Sequence, residues 1–424
     1  MTLSEVKDFF FTYKNNFNSL TFNNVKEFRE LVNGFWQAEG YIGGIFRSEL
    51  NFYPLCTATQ LLSKQSIEFF LRLDKDLSNK GSFSITLNSM GKFVLVYRLS
   101  GWDTFFSTFV PYFNMLYGAK YKAIFKLKRI YELKNLIKKN SSLAHNKVLL
   151  VRTVYSLTAH SPRYKLSIED KLISLNLNPE LLKELPEYSY PENNISLSFL
   201  FILGFFIGDG TLHLKLEWKD KNSTIAIIPL FNIIQSNVES NKQVMEKMTE
   251  ALNNLGLKTS LYKDNKIFTL TVKGINNVFY SLLPLLKEHS HFLYWKIDSF
   301  NLLVWVKQLV KSGGHHTYFG LKALIIKLYS SVNGRLTDEE VWMDRLEIWL
   351  KTASSRRAWG ELYITPIYTP NKVIRGWQVR FPITLKLPKS NKAFMVSTSG
   401  EQEKAFALAV QYRDKIISDW IKTF

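Results

Sequence analysis

One nine-residue pattern occurs twice in this chain and constrains its fold more than any other feature. The first copy is Val32-Asn33-Gly34-Phe35-Trp36-Gln37-Ala38-Glu39-Gly40. The second, 170 residues downstream, is Ile202-Leu203-Gly204-Phe205-Phe206-Ile207-Gly208-Asp209-Gly210. Both read apolar, any, Gly, Phe, aromatic, any, small, acid, Gly. A repeat at that distance is a duplicated domain, because stacked-repeat proteins recur every 20 to 50 residues or so. If the copies are helices, Gly34 and Ala38 share one face, as do Gly204 and Gly208, since residues four apart sit one above the other. Glycine inside a helix costs about 1 kcal/mol relative to alanine. A chain that accepts this in both copies is expected to bring two backbones close together. The prediction is two helices packed through these four small residues, with Phe35, Trp36, Phe205 and Phe206 turned into two cores.

Each copy ends in an acid. Glu39 and Asp209 fall at helix C-termini, where the macrodipole is already negative. Packing the helices together also brings the carboxylates near each other, which disfavours ionising both. A divalent cation relieves both problems, and oxygen ligands completed by phosphate suit Mg²⁺. Carboxylates holding metal at a phosphodiester support hydrolysis, because the metal activates water and steadies charge on the leaving oxygen. Gly40 and Gly210 let the chain leave helix for strand and are counted with the two acids as metal-site residues.

The segments downstream of the two copies match in type. After Gly40 come strand patterns at Tyr41–Phe46 and Cys56–Leu61, a helix from Lys64, a hairpin turning at Asn88-Ser89-Met90-Gly91, and a helix over Trp102–Leu116. After Gly210 come strands from Thr211 and Thr224, a helix from Lys242, a hairpin around Asp264-Asn265, and a helix from Val278. Each half therefore reads αββαββα, with a further helix behind it near Tyr121–Lys139 and Lys296–Lys311. The fold class is α+β, with antiparallel sheets. The expected boundaries are an N-terminal extension over 1–24, a first half over 25–163, a Pro-, Glu- and Asn-rich linker over 164–194 with one or two helical turns, a second half over 195–345, and a C-terminal module over 346–424.

These nonamers and the repeated element order resemble the double-motif LAGLIDADG family of homing endonucleases and intron maturases, over roughly Val25–Thr337. The resemblance implies a pseudo-symmetric monomer whose two curved sheets form a nucleic-acid saddle. It also implies motif acids that bind divalent metal, and cleavage of both DNA strands across the minor groove. Carried over residue by residue, Glu39 and Asp209 match the acids, and Gly34, Ala38, Gly204 and Gly208 match the helix-packing positions. A basic residue near the cleavage site matches Lys296 in its Trp295-Lys296-Ile297 context and, more loosely, Lys122; both are taken as catalytic. His315-His316-Thr317 matches a structural segment. Gln37 departs from the apolar or acidic residue usual at its place.

A sheet that reads DNA needs polar and basic side chains on alternate positions of one face. His213, Lys215, Glu217 and Lys219 alternate in this way, and Arg47, Glu49 and Asn51 do so in the first half, with Lys92 and Arg98 nearby. The tail, with Gly376-Trp377-Gln378-Val379-Arg380-Phe381, Lys392-Ala393-Phe394 and an Ala-rich helix holding Tyr412-Arg413-Asp414, resembles an AP2-like DNA-binding module of three strands on a helix. There Arg356, Arg357, Arg375 and Arg380 are the expected contacts to phosphates or bases.

Composition agrees with a polyanionic partner. The 424 residues carry 55 Lys and Arg against 36 Asp and Glu, a formal net charge of +19. The longest apolar run, Leu197–Gly208, is too short to span a bilayer. Cys56 is the only cysteine, so neither a disulfide framework nor a thiolate metal site is expected, and a reducing compartment fits. The opening residues carry early acids and lack the basic leader and apolar core of a signal peptide. Together with heavy use of Phe, Lys, Asn, Leu and Ile, this points to an organelle-encoded protein, mitochondrial in the first instance or chloroplast. The primary expectation is a Mg²⁺-dependent, site-specific double-strand DNA endonuclease acting as a monomer. Two other readings use the same charge and architecture: an RNA maturase that assists splicing of its group I intron, and a non-catalytic component of an organellar ribonucleoprotein such as the mitochondrial ribosome. All three predict nucleic-acid affinity that falls by roughly 10³-fold or more between about 50 and 200 mM salt, measured by fluorescence anisotropy on a labelled duplex. A salt-independent affinity would sink the polyanion reading.

Overall fold

The first motif copy forms helix α2 (Val25–Glu39) and the second forms α6 (Phe199–Asp209). Each helix stops where its terminal glycine begins extended backbone. In the computed structural model, residues 3–17, 25–48, 50–140, 144–157, 166–185, 188–191, 193–222, 224–331, 338–352, 363–381, 391–396 and 401–423 are described. Helix α1 (Leu3–Phe17) precedes α2. Then come β1 (Tyr41–Ser48), β2 (Asn51–Leu61), α3 (Lys64–Asp76), β3 (Ser82–Leu87) and β4 (Phe93–Ser100). A helical segment over 102–112 contains a wide π turn at Phe105–Phe109. Helices α4 (Gly118–Lys139) and α5 (Ala144–Leu157) close the first half.

After α6 the order recurs: β5 (Gly210–Lys219), β6 (Thr224–Ser236), α7 (Glu239–Asn254), β7 (Thr259–Lys263), β8 (Ile267–Lys273), a second π turn at Asn276–Leu282, and α8 (Ile297–Lys311). Helices α9 (Tyr318–Ser331) and α10 (Glu339–Thr352) come next. Strands β9 (Ile364–Tyr368), β10 (Ile374–Val379) and β11 (Lys392–Met395), with helix α11 (Gln402–Lys422), end the chain. The two larger sheets have the same order within the repeat, β1-β2-β4-β3 and β5-β6-β8-β7. The small one runs β11-β10-β9, and its pairings are antiparallel, as are those of the first sheet.

By spatial proximity the chain divides into two compact units. One contains residues 1–211, 231–272 and 285–297; the other contains 212–230, 273–284 and 298–424. The first unit is organised around the crossing of α2 and α6. A Cβ added at Gly34 would lie 1.8 Å from the Phe201 carbonyl oxygen, and one at Gly204 would lie 1.7 Å from the Leu31 carbonyl oxygen. The relation is reciprocal: each glycine rests on the carbonyl three residues before the other. Phe35 packs against Phe69 of α3 at 4.6 Å, its ring edge also reaching the Gly208 side of the crossing, and Trp36 packs against Phe113 at 4.5 Å. On the α6 side Phe206 stacks on Phe231 at 4.7 Å. Helix α3 begins with a capping box in which Ser63 and Ser66 bond each other's backbone amides.

In the second unit the small sheet and α11 share a core of Ile364, Val379 and Ala409, and the Trp420 ring lies against Gly314. Among the described residues no helix is long and apolar enough to cross a membrane.

Several expectations needed refinement. The helix expected over Trp102–Leu116 stops at Tyr112 and contains a π turn. Pro111, which has no amide to donate, follows that turn, as Pro284 follows the second one. The N-terminal extension holds α1, whose Tyr13 hydroxyl donates to Glu68. The linker holds helices Ile168–Ser174 and Leu181–Glu184, and Leu172 is buried with Val148 and Val151 of α5. Arg356, Arg357, Glu49, Pro186 and the side chain of Arg47 lie outside the described residues.

Because the glycine contacts are backbone on backbone, no side-chain rotation can relieve an added methyl. Gly34→Ala and Gly204→Ala are each expected to lower stability by about 3 kcal/mol or more in chemical denaturation.

Candidate active site

The crossing of α2 and α6 places their C-terminal acids together. A Cβ at Gly208 would lie 2.7 Å from the Ala38 Cβ and 3.0 Å from the Glu39 Cγ. One turn beyond the glycine contact, the helices are therefore still close enough for Glu39 and Asp209 to interact by both charge and hydrogen bond. Burial, and then the charge of Asp209, raise the Glu39 carboxyl from its ordinary 4.5 to about 7, against the opposing pull of Lys120 and Lys296.

Two lysines close the site. Lys120, in the first turn of α4, donates to the carbonyls of Trp36 at 2.9 Å, Gln37 at 2.6 Å and Ala38 at 2.9 Å. Those of Gln37 and Ala38 are among the carbonyls that the end of α2 leaves without a helical partner, and that of Trp36 also accepts from the Gly40 amide, so a cation sits where the helix dipole is negative. Burial lowers the Lys120 ammonium to about 8, while Asp209 and Glu39 resist that shift. Lys296 donates to the Gly210 carbonyl at 2.6 Å and lies over the Phe206 ring. Its pKa is likewise lowered by burial and supported by Glu39 and Asp209. Beside it Trp295 donates its indole N–H to the Ile207 carbonyl at 2.7 Å.

Lys122, selected from the sequence, does not hold the end of α2; Lys120 does. Two residues on a helix are about 200° apart, so the two lysines cannot face the same target. The usable clue was helical phase: Lys120 precedes buried Ile124 by four residues, as Lys296 precedes buried Phe300. Gln235 was also missed. From the next-to-last position of strand β6 its amide donates to the Asp209 carboxylate. Gln60 occupies the matching next-to-last place of β2, but its side-chain oxygen accepts from the Leu61 amide. Each glutamine stands four residues before the next helix, a repeat visible in the sequence.

Gly40 donates its amide to the Trp36 carbonyl at 2.8 Å, and Gly210 donates to Phe206. Both have side-chain rings in the space a Cβ would need. Among the basic residues expected to read nucleic acid, Lys215 and Lys219 are exposed and His213 half-buried. They alternate on β5 with buried Leu212, Leu214 and Leu216. Arg98 is exposed on β4 opposite Thr57 and Ser82, and Lys92 is exposed at the β3–β4 turn. Arg375 and Arg380 are exposed at β10, the latter bonded to Gln378. His315 is partly buried against His316, and burial lowers it to about 4.

The arrangement is thus two adjacent carboxylates, two cationic lysines and the carbonyl of Gly210 at the meeting point of two helix ends. Among the described residues no cluster of three or more His, Cys, Asp or Glu side chains forms a metal cage. A cation held here would therefore take its remaining oxygens from a phosphate and water. No protein-family model matches the sequence, and a search of characterised protein sequences returns no relative. Solved structures do match. I-SmaMI bound to an uncleaved DNA target in the presence of calcium ions aligns with a TM-score of 0.58 at 18% identity, covering 74% of this chain and 100% of that one. The chain has the LAGLIDADG endonuclease fold. The LAGLIDADG homing endonuclease I-SmaMI bound to cleaved DNA aligns at 0.55 and 18% identity, covering 74% and 99%. I-LtrWI, a LAGLIDADG homing endonuclease bound to target DNA, aligns at 0.51 and 18% identity, covering 73% and 99%.

The raised pKa of Glu39 has a stability consequence. Between pH 4.5 and 7 the folded protein keeps a proton that the unfolded chain has released, so this group's contribution to stability is lost as pH rises through that window. Lys120 acts in a separate window, above about pH 8, where its early deprotonation favours the folded state. In metal-free buffer Glu39→Gln should therefore melt progressively higher than the parent between pH 5 and 7, by roughly 2 °C or more at the upper end. An unchanged difference across that range would show that Glu39 is neither buried at the helix ends nor held near Asp209.

Proposed function

We propose that this protein is a site-specific double-strand DNA endonuclease that requires a divalent cation. The observation that carries the reading is the junction of Glu39 and Asp209 at one helix crossing, flanked by Lys120 and Lys296. The donor set suits Mg²⁺: hard oxygens, a like-charge pair needing neutralisation, and room for ligands from DNA and water. Glu39, Asp209 and the Gly210 carbonyl would hold the cation. When bound beside a phosphodiester, the metal would activate water and stabilise charge on the departing oxygen. The protein's own groups do the rest. Gln235 orients the Asp209 carboxylate, and Lys120 fixes the end of α2 so that Glu39 stays in register. Lys296, anchored on Gly210, adds positive charge where phosphate oxygens gather. The solved neighbours bound to DNA support duplex DNA as the substrate.

Exposed basic positions on β5, together with Arg98, support target reading by the sheets. The terminal sheet with α11 supports an AP2-like auxiliary DNA-binding module over 346–424, using Arg375 and Arg380, behind repeat halves at 25–163 and 195–345. The residue usage supports a mitochondrial or chloroplast setting.

A duplex carrying the uninterrupted sequence into which the reading frame is inserted is the test substrate. With Mg²⁺, both strands should be cut. Glu39→Gln and Asp209→Asn should each reduce cleavage by roughly 10³-fold or more, while duplex affinity in anisotropy stays within about threefold. If the protein binds that duplex yet leaves it intact, and Glu39→Gln alters nothing, the endonuclease reading falls.

A further inference from the structure

The two lysines of the site follow the same backbone bend. Two residues before Lys120 stands Gly118, with φ +53°, and two residues before Lys296 stands Tyr294, with φ +43°. Both angles lie in the left-handed region. Glycine enters that region freely, because it has no Cβ to collide with the carbonyl that follows. A bulky side chain rarely does, and where it does its surroundings hold it there. The first half therefore takes the bend from its own sequence, whereas the second half has to impose it.

The surroundings of Tyr294 show what imposes it. Its phenol is hydrogen-bonded to the side chain of Arg72 on α3, and its ring meets Phe69 of the same helix at 5.1 Å and 85°. Arg72 is itself fixed. Only 9% exposed, its guanidinium lies over Phe28 of α2 at 4.0 Å and over Phe292 at 5.4 Å, and its charge acts on Asp76 one turn further along α3. A planar guanidinium suits this place, because it can stack on a ring and still donate from its edge. Beyond the bend, the next two side chains both return to the second motif. Trp295 donates to the Ile207 carbonyl at 2.7 Å and Lys296 to the Gly210 carbonyl at 2.6 Å. If Tyr294 relaxed to negative φ, the direction of the chain into these two residues would change with it.

We propose that Arg72 and Tyr294 are positioning residues for Lys296: Arg72 holds Tyr294 in the bend that glycine supplies before Lys120, and the bend seats the Lys296 ammonium on Gly210. A helix of the first half thus sets the lysine of the second. The seat of Lys296 is a property of the fold; its use at a phosphate rests on the endonuclease reading above.

Competitive acetylation of the folded full chain, read by mass spectrometry on the peptides bearing Lys296 and Lys120, tests the seat without requiring cleavage. A seated ammonium reacts slowly. Tyr294→Phe keeps a ring on Phe69 but loses the phenol, and should speed Lys296 acetylation by roughly tenfold or more, the factor that one charge-assisted hydrogen bond is worth. Arg72→Lys keeps a charge beside Asp76 but not the planar fork, and should do the same. Tyr294→Gly loses phenol and ring alike yet permits the bend, so it should leave Lys296 closer to the parent rate than Tyr294→Phe does. A residue that served only packing would give the reverse order. Lys120 should keep the parent rate in every variant. In the Mg²⁺ cleavage assay Tyr294→Phe should lower kcat by up to about 10²-fold, as a misplacement of about 1 Å does, with KM for the duplex unchanged. The proposal is overturned if Lys296 reacts alike in the parent and Tyr294→Phe, if Tyr294→Gly exposes it more than Tyr294→Phe, or if Lys120 is exposed along with it. A parent chain that cuts no duplex would end the endonuclease reading, and the acetylation rates would still decide this one.

Discussion

The reciprocal contact of Gly34 and Gly204 fixes everything downstream of it. Side chains at those positions would hold α2 and α6 apart at an ordinary interhelical spacing of about 8–10 Å. With each glycine resting on the other helix's carbonyl, the helices stay close one turn later, at Ala38 and Gly208. Their ends then meet at the acids. The short spacing also creates the electrostatic problem that defines the site. Two helix C-termini and two carboxylates converge in a partly buried place, where neither dipole nor charge is well solvated.

The fold answers that problem with lysines placed by sequence-distant segments. Lys120 reaches back more than eighty residues to three carbonyls of α2, and Lys296 reaches back to Gly210. Both are partly buried cations whose pKa values are lowered by desolvation and supported by the acids. Lysine in water has no reason to make three carbonyl bonds. Here its desolvation is offset because two of the bonds, to Gln37 and Ala38, also satisfy orphan carbonyls at a helix end. The aromatic content of the chain serves the same end. Phe69 packs on Phe35 and also on Tyr294 and Trp295, so the segment that carries Lys296 is seated on the helix layer beneath Glu39.

Much of this was legible in the sequence, for identifiable reasons. The duplicated nonamer made the helix pair, the acids and the close approach readable, because glycine at four-residue spacing has few other uses. The strand order followed from period-two patterning, which β5 displays with Leu212, Leu214 and Leu216 buried in alternation. Lys120 was passed over because α4 is so rich in lysine that its polar positions carry little phase information, and only its apolar ones, Ile124 four residues on, separate Lys120 from Lys122 and Lys126. Helix α1 was passed over because its apolar residues are scattered among polar ones and become a face only against α3, whereas the helical turns expected in the linker are present as Ile168–Ser174 and Leu181–Glu184. Gln235 was hidden for another reason. Its position repeats that of Gln60, but its role depends on strand register and on a neighbour 26 residues away, which that repeat alone does not reveal.

Gln37, which looked like a blemish in the first motif, is explained by the segment that delivers Lys120. Residues 113–117 form no regular structure, so their backbone groups need partners from elsewhere. Buried Gln37 accepts from the Tyr117 amide at 2.8 Å, and Asn33, one turn earlier on the same face of α2, accepts from the Met115 amide at 3.1 Å and donates to the Tyr112 carbonyl at 3.1 Å. Asn193 adds a bond to Leu116 at 2.9 Å. In the second half the corresponding motif positions are Leu203 and Ile207, both apolar and buried. No pegs are needed there, because the segment before Lys296 folds into 3₁₀ turns that satisfy themselves, Phe292 bonding His289, Leu293 bonding Ser290, and Lys296 bonding Leu293. The two motifs therefore differ where their supported segments differ. An amide in a buried helix face is costly unless bonded, so its presence in one copy and absence from the other follows from which half leaves backbone groups to satisfy.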